Sequence, residues 1–429
     1  MSETLTLTPI KHATGQIVLP GSKSLTNRIL LLAAIAEGNT DISNLLISED
    51  TQHMVQALRQ LGVSINLDER AARARVQGLG HLFPASKEVR SLSLGNAGTA
   101  IRPLTAMLSM AQGTFLVDGD AYMRERPIAH LIEALQQIGA DIHYLDQPGY
   151  PPFKINNADI LGGKVELDGR LSSQYLTALL MSLPLAPQDS QIDIIGDLVS
   201  KPYIDITRAV MQRFGVETHH DQYRSFHIPG DQTYKSPGKM LVEGDASTAS
   251  YFLAAGAIRG EVTVHGIGQN SLQGDVDFVN VLAQMGARIE ILDSSVHVAS
   301  TGHLKGIDID LNHIPDAAMT VAVVALFAKG RTTIRNIYNW RIKETDRMSA
   351  MAAELQKVGA DVTVGEDSIS IQPPDELRPA EIETYGDHRM AMCFSLIAMS
   401  NSSVTIKAPE VTAKTFPDYF TVFDSICHR

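Results

Sequence analysis

The chain has 429 residues, 44% hydrophobic and 20% charged, a globular composition too long for one core, so two domains of roughly 200 residues each are expected. A formal net charge of -12 argues against a nucleic-acid binder, which needs a basic face, unless the positive charge is concentrated. Two cysteines, Cys393 and Cys427, exclude a disulfide framework, and the longest apolar run (317–328) is far short of the roughly 20 residues that span a bilayer.

In chain order, residues 1–11 carry neither an apolar signal core nor the Arg/Ser bias of a transit segment, so a cytoplasmic protein with no membrane partner is expected. One phrase then recurs: the end of an apolar helix, a glycine, and an alternating strand-like run. It appears as ALRQLGVSI (57–65), ALQQIGADI (134–142), VMQRFGVET (210–218), LAQMGARIE (282–290) and LQKVGADVT (355–363), at intervals of 71 to 77 residues. A glycine in this place supplies the left-handed residue that ends a helix. A second phrase runs in phase with it, as short apolar helices that start near Ser24, Gly98, Ser172, Asp245, Asp316 and Asp387. Each unit of about 70 residues reads strand–helix–strand–helix–strand–strand, and the sixth ends in a helix over 416–426. The expected fold is therefore α/β, with two domains of three βαβαββ units each: 23–240 first, and 1–22 with 241–429 second.

Helix starts carry unpaired N–H groups and partial positive charge, which makes them anion sites. The first start, LPGSKSLTNR (19–28), brings Lys23, Ser24 and Arg28. Its spacing is not that of a Walker A loop, and a solvated capping turn explains it as well as a site does. In LGNAGTAIRPL (94–104), Asn96 and Gly98 open a helix where backbone must approach something closely. Pro103 is expected in the first turn, and Arg102 reads as a solvated charge without a role. RERPI (124–128) adds Arg126, RLSSQYL (170–176) adds Ser172, Ser173 and Gln174, and SKPYIDIT (200–207) adds Tyr203. In the second half, IPDAAM (314–319) places Asp316 at a helix start, where a plain N-cap is the competing explanation. NWRIKETDRM (339–348) concentrates Lys343, Glu344 and Arg347. Lys343 and Arg347, four apart, would share a helix face, which is repulsive unless an anion sits between them. GDHRMAM (386–392) gives His388 and Arg389, and KTFPDYF (414–420) gives Lys414. The 14 histidines are scattered, His219–His220 reads as an exposed loop, and Cys393 reads as core, so no metal site emerges.

LPGSKSLTNR, LGNAGTAIRPL, RERPI, SSQYLTALL, RIKETDR, GDHRMAM and KTFPDYF, in this order along the whole chain, closely resemble the 5-enolpyruvylshikimate-3-phosphate synthase family. The resemblance implies the enolpyruvyl-transferase fold, with helix N-termini facing an interdomain cleft. It implies transfer of the enolpyruvyl group of phosphoenolpyruvate to the 5-hydroxyl of shikimate 3-phosphate, with no metal or organic cofactor, by a protein expected to be a monomer. Matched motif by motif, it assigns Lys23, Asn96, Gly98, Arg126, Gln174, Arg347, His388, Arg389 and Lys414 to phosphoenolpyruvate. Lys23, Ser24, Arg28, Ser172, Ser173, Gln174, Ser200, Tyr203, Asp316, Asn339 and Lys343 fall to shikimate 3-phosphate. Asp316, Glu344 and Lys23 match the catalytic groups, and glyphosate is implied as an inhibitor at the phosphoenolpyruvate site.

The chemistry fits those residue types. Two substrates that each carry a phosphate and a carboxylate need cations from both halves of the chain. Addition of a hydroxyl across an enol double bond needs a base, for which an ionised Asp316 suits, and an acid, for which Glu344 beside the substrate anions suits. Lys23 would assist phosphate departure. Two rival readings are weaker. UDP-N-acetylglucosamine enolpyruvyl transferase carries a reactive cysteine on a first-domain loop, and residues 98–126 contain none. An RNA 3′-phosphate cyclase-like protein needs the basic surface that this chain lacks.

Overall fold

The computed structural model describes residues 3–429; residues 1 and 2, part of the expected second domain, lie outside them. The strands form six small sheets built on one plan. In the second unit, Arg90–Ser93 runs parallel to Phe115–Asp118, and the hairpin Asp141–Tyr144 with Phe153–Asn156 closes antiparallel on the other side. The third unit, from Lys164–Asp168 to Ser225–Ile228, and the fifth, from Asp308–Asp310 to Ile369–Gln372, repeat this order.

Three units are completed by distant segments. Lys239–Leu241 returns after the third unit to lie parallel to Asn39–Ser43 of the first. His12–Val18 does the same for Gly260–His265 of the fourth, with Ala13 opposite Gly260. In the sixth, Thr4–Leu7 pairs antiparallel with Val404–Lys407 where the other units have their hairpin. Contacts gather the chain into two compact units: Gly21–Val242, and the residues up to Pro20 together with Glu243–Arg429.

Every repeat pairs one helix buried on all sides with one that is amphipathic. Lys23–Ile35, Gly98–Ser109 and Ser173–Ser182 are the buried helices of the first unit, and Ala246–Arg259, Pro315–Val324 and His388–Ser395 those of the second. They are buried on nearly every face, their polar residues included, which only a core position gives. The outer helix Glu49–Gln60, by contrast, buries Met54, Val55, Ala57 and Leu58 and turns Gln56 and Arg59 to solvent. Charged side chains on the buried helices fall mostly in the first two turns, while hydroxyls further along, such as Thr105, Ser109 and Ser182, are buried and donate to carbonyls of their own helix.

The repeating glycines behave as helix terminators: Gly62, Gly139, Gly215, Gly286 and Gly359 have φ between 79° and 112°. Other details differ from the sequence reading. Pro103 is the sixth residue of its helix, in the second turn, where its missing N–H leaves a carbonyl one turn back without its helical bond. The last helix is confined to Tyr419–Asp424, because Pro417 interrupts the run and Cys427–His428 leaves to pair with the strand at His12. His219 and His220 belong to the strand His219–Asp221, where the His220 ring packs on Tyr223 and Phe226. No helix among the described residues is long and apolar enough to cross a membrane.

Candidate active site

In the unit Gly21–Val242, the first turns of the three buried helices are joined by side chains. Ser22 precedes the first helix without capping it through its hydroxyl, and Lys23 and Ser24 open it. The Lys23 ammonium is buried 3.1 Å from Asp50, which sits in the first turn of Glu49–Gln60. One turn further, Arg28 is fully enclosed. Its Nε donates to Thr207 (2.8 Å) and its Nη atoms to Thr177 (3.2 Å), the Ser24 carbonyl (2.9 Å) and the Tyr203 carbonyl (3.5 Å). Burial lowers its pKa to about 10, partly offset by Tyr203. Arg28 thereby ties the helix starts at Ser24, Ser173 and Tyr203 together. Ser200, just before the last of these, sits in the left-handed region (φ 55°), with its carbonyl accepting from the Tyr203 N–H.

The second buried helix joins the same group through Asn27, which donates to Thr99 at 2.8 Å. Arg126 is held by Asn96, donating to its side-chain oxygen at 2.7 Å and its carbonyl at 3.2 Å. Gly98 lies beneath two guanidinium groups. A Cβ there would stand 2.6 Å from Arg102 and 2.8 Å from Arg126, so any side chain must displace them. Ser172 caps the third helix by accepting from the Gln174 N–H (3.2 Å), with Ser173 buried beside it. Arg102, assigned no role from the sequence, is buried and donates to the Gln174 side-chain oxygen. It is not a solvated charge, because Gln174 and the ring of Tyr175 lie against it.

In the other unit, four cations (Lys343, Arg347, Arg389 and Lys414) share three carboxylates (Asp316, Glu344 and Asp387). Asp316 is in the first turn of Pro315–Val324 but is not its N-cap, which is Ile314. Its oxygens accept from Arg347 (2.8 Å) and Arg389 (2.9 Å), and Lys343 lies 3.8 Å away. Burial alone would raise its pKa, but Arg389, Lys343 and Arg347 together hold the carboxyl far below the usual range.

Arg347 is enclosed by carboxylates, at 2.7 Å from both Glu344 and Asp387. Burial opposes its charge, but Asp387, Glu344 and Asp316 outweigh that and raise its pKa. Lys343 and Arg347 do not share a helix. Lys343 ends the 3-10 turn Tyr338–Ile342, Arg347 begins Arg347–Lys357, and Asp346 caps the latter. The anion between the two cations is Asp316 itself. Asn339 is buried in that turn, which Trp340 pins to the Asp316 helix by donating to the Pro315 carbonyl (2.7 Å). His388 is fully buried, with Nδ1 3.5 Å from Asp387, and Arg389 also donates to the Tyr251 hydroxyl at 3.1 Å. What lies on Glu344 is cationic, with Lys414 4.0 Å from its second oxygen.

Sequence reasoning missed Asp50, Arg102 and Asp387. Asp50 follows a recognisable helix start, Ser48 to Thr51, and Asp387 is the N-cap of its helix, so both were locatable as acids but not as partners. No set of three or more His, Cys, Asp or Glu among the described residues is placed to hold a metal ion.

Six repeated sheets, with helices whose first turns and preceding loops gather the buried Lys23, Arg126, Arg347, Arg389 and Lys414, are the architecture of the enolpyruvyl transferases. Solved structures agree: EPSP synthase from Acinetobacter baumannii superposes with a TM-score of 0.83 at 26% identity, over 100% of this chain and 98% of the other. The enolpyruvyl transferase NikO from Streptomyces tendae shares the fold, with a TM-score of 0.80 at 15% identity, over 99% and 98% of the two chains. The family model described as EPSP synthase (3-phosphoshikimate 1-carboxyvinyltransferase) matches residues 7–423, and the chain belongs to that family. Proteins named 3-phosphoshikimate 1-carboxyvinyltransferase from Tolumonas auensis (57% identical, 99% of this chain and 100% of the relative) and Mannheimia succiniciproducens (58%, 99% of each) are similar throughout.

Proposed function

We propose that the chain performs its family's transfer with the two clusters as anion grips and Asp316 as the base. The enolpyruvyl group of phosphoenolpyruvate passes to the 5-hydroxyl of shikimate 3-phosphate, and phosphate is released. The observation that carries this reading is Asp316, a carboxylate kept ionised by Lys343, Arg347 and Arg389 in the first turn of a buried helix.

In this reading Lys23, Asn96, Gly98, Arg126 and Gln174 from one unit and Arg347, His388, Arg389 and Lys414 from the other serve phosphoenolpyruvate. Shikimate 3-phosphate takes Lys23, Ser24, Arg28, Ser172, Ser173, Gln174, Ser200 and Tyr203 from the first unit and Asp316, Asn339 and Lys343 from the second. Asp316 accepts the proton of the 5-hydroxyl as its oxygen adds to the carbon bearing the phosphate. Glu344, which takes up a proton from solvent once the incoming anion draws Arg347 away from it, delivers that proton to the methylene carbon. The adduct then returns a methyl proton to the Glu344 carboxylate and expels phosphate, which leaves with the proton first taken by Asp316, while Lys23 balances the charge on the leaving group. Holding both reactants in register supplies roughly 7–11 kcal/mol of the barrier reduction. The protein acts as a cytoplasmic monomer with no metal or organic cofactor, and glyphosate competes for the phosphoenolpyruvate positions.

Phosphate release tests this directly. It is expected only when phosphoenolpyruvate and shikimate 3-phosphate are both present, and release that ignores the second substrate refutes the proposal. Gly98→Ala is a second test. The new Cβ must push Arg102 and Arg126 aside, so KM for phosphoenolpyruvate and the inhibition constant of glyphosate should both rise, by about tenfold or more. Steady-state kinetics with both values unchanged would remove Gly98 from that site.

A further inference from the structure

We infer that Arg102 is a positioning residue that locks the amide of Gln174, so that the substrates meet only its N–H donors. The inference rests on the placement of Gln174 beside them proposed above.

Arg102 lies in the second turn of Gly98–Ser109, and Gln174 in the first turn of Ser173–Ser182. A guanidinium has five N–H donors and no acceptor. Since Arg102 Nη1 points at the Gln174 amide, the carbonyl oxygen must face Arg102 and the NH2 group must face away. An amide free to rotate offers an anion its lone pairs as readily as its hydrogens. With its oxygen engaged by a cation, it can offer only hydrogens.

The guanidinium is itself held against rotation. Its second nitrogen donates to the Pro127 carbonyl at 3.4 Å, and its carbon lies 5.5 Å from the centre of the Tyr175 ring. Tyr175 is buried and donates its hydroxyl to the same Pro127 carbonyl at 2.8 Å, so ring and guanidinium share one anchor. Pro127 directly follows Arg126, and Gly98 runs beneath both arginines. Only a planar fork stacked on a ring can reach the amide and the carbonyl together, which an ammonium cannot do.

The experiment is a double-mutant cycle read in kcat/KM for both substrates, with thermal unfolding followed in parallel. Gln174→Leu should lower kcat/KM by about tenfold to a hundredfold. Arg102→Met should reproduce most of that loss, with larger rises in KM than falls in kcat, and should add less than about twofold to Gln174→Leu. Gln174→Glu is nearly isosteric and keeps the Arg102 contact but turns an oxygen outward, so it should lose at least as much as Gln174→Leu and does not depend on Arg102 variants folding. A Gln174→Leu enzyme with unchanged kinetics overturns the placement of Gln174, and the inference with it. A normal Gln174 loss to which Arg102→Met adds its full factor overturns the link alone, as does a Gln174→Glu enzyme with near-parental kcat/KM.

Discussion

Asp316→Asn is expected to lower kcat by about two to four orders of magnitude with both substrates saturating, the usual contribution of a positioned proton acceptor. The amide fills the same space but keeps one acceptor oxygen, so it can answer only one of Arg347 and Arg389, and it cannot take a proton from a hydroxyl. Three cations hold this carboxyl ionised, so it needs no deprotonation first, and substrate anions that take up part of that positive charge restore its basicity. Asp316→Glu keeps the charge yet moves it by about a bond length, and it too should fall, by roughly a hundredfold. Single-turnover measurements separate the chemical step from product release. A rate for Asp316→Asn within threefold of the parent would move the base to another residue.

Arg347→Met is expected to destabilise the unit that contains it by about 3–5 kcal/mol, measured by chemical denaturation at neutral pH. Arg347 is almost completely enclosed and reaches Asp316, Glu344 and Asp387, so its removal strands buried negative charge that Lys343, Arg389 and Lys414 only partly cover. Turnover should be lost as well, because the same side chain is assigned to phosphoenolpyruvate. The pH response gives the sign. In the parent the folded-state pKa of Asp316 lies below its ordinary 3.8, so its stabilisation is present above that value and is lost as pH falls towards the folded one. In the variant Asp316 has lost one of its three cations, so less of that stabilisation is there to lose, and the gap between the two proteins should narrow below about pH 4. A gap that stays constant with pH, or is under about 1 kcal/mol at neutral pH, would show that Asp316, Glu344 and Asp387 do not depend on this guanidinium.

The two variants also separate what Asp316 and Arg347 do. Loss of Asp316 removes a proton acceptor and leaves Arg347 with two carboxylates, so its main effect is kinetic. Loss of Arg347 leaves the acceptor in place without its counter-charge, so stability falls with activity.

How much of this was legible in the sequence varied with the range of the interaction. The starts of the six buried helices, near Ser24, Gly98, Ser172, Asp245, Asp316 and Asp387, fall within two residues of the observed ones. Capping and termination are local, and a glycine or an Asp acts on the next three or four residues wherever the helix then goes. Helix boundaries set by a proline further along, as at Pro417, were less accurate. Lys343 and Arg347 show the limit of periodicity. A spacing of four predicted a shared face, but Asp346 starts a new helix between them and the two cations meet on Asp316 from different elements.

The sequence by itself determined the repeat, the apolar helices that must be buried, and the polar residue types gathered at their first turns. It could do so because those features depend on hydrogen bonds and side-chain periods within one turn or one strand. Which side chain meets which was decided only by the tertiary structure. Asn27 meets Thr99 and Arg102 meets Gln174 across 72 residues in each case, and Arg28 meets Thr207 across 179. Likewise, the first strand of the first sheet comes from Lys239–Leu241, and that of the fourth from His12–Val18. Such pairs carry no local signal, because a guanidinium has the same sequence signature whether water or a buried amide lies beside it. Packing of the buried helices removes the water, and in that setting a charge must find a partner. Arg102, read as a solvated surface charge, is by that packing a fixed part of the candidate site.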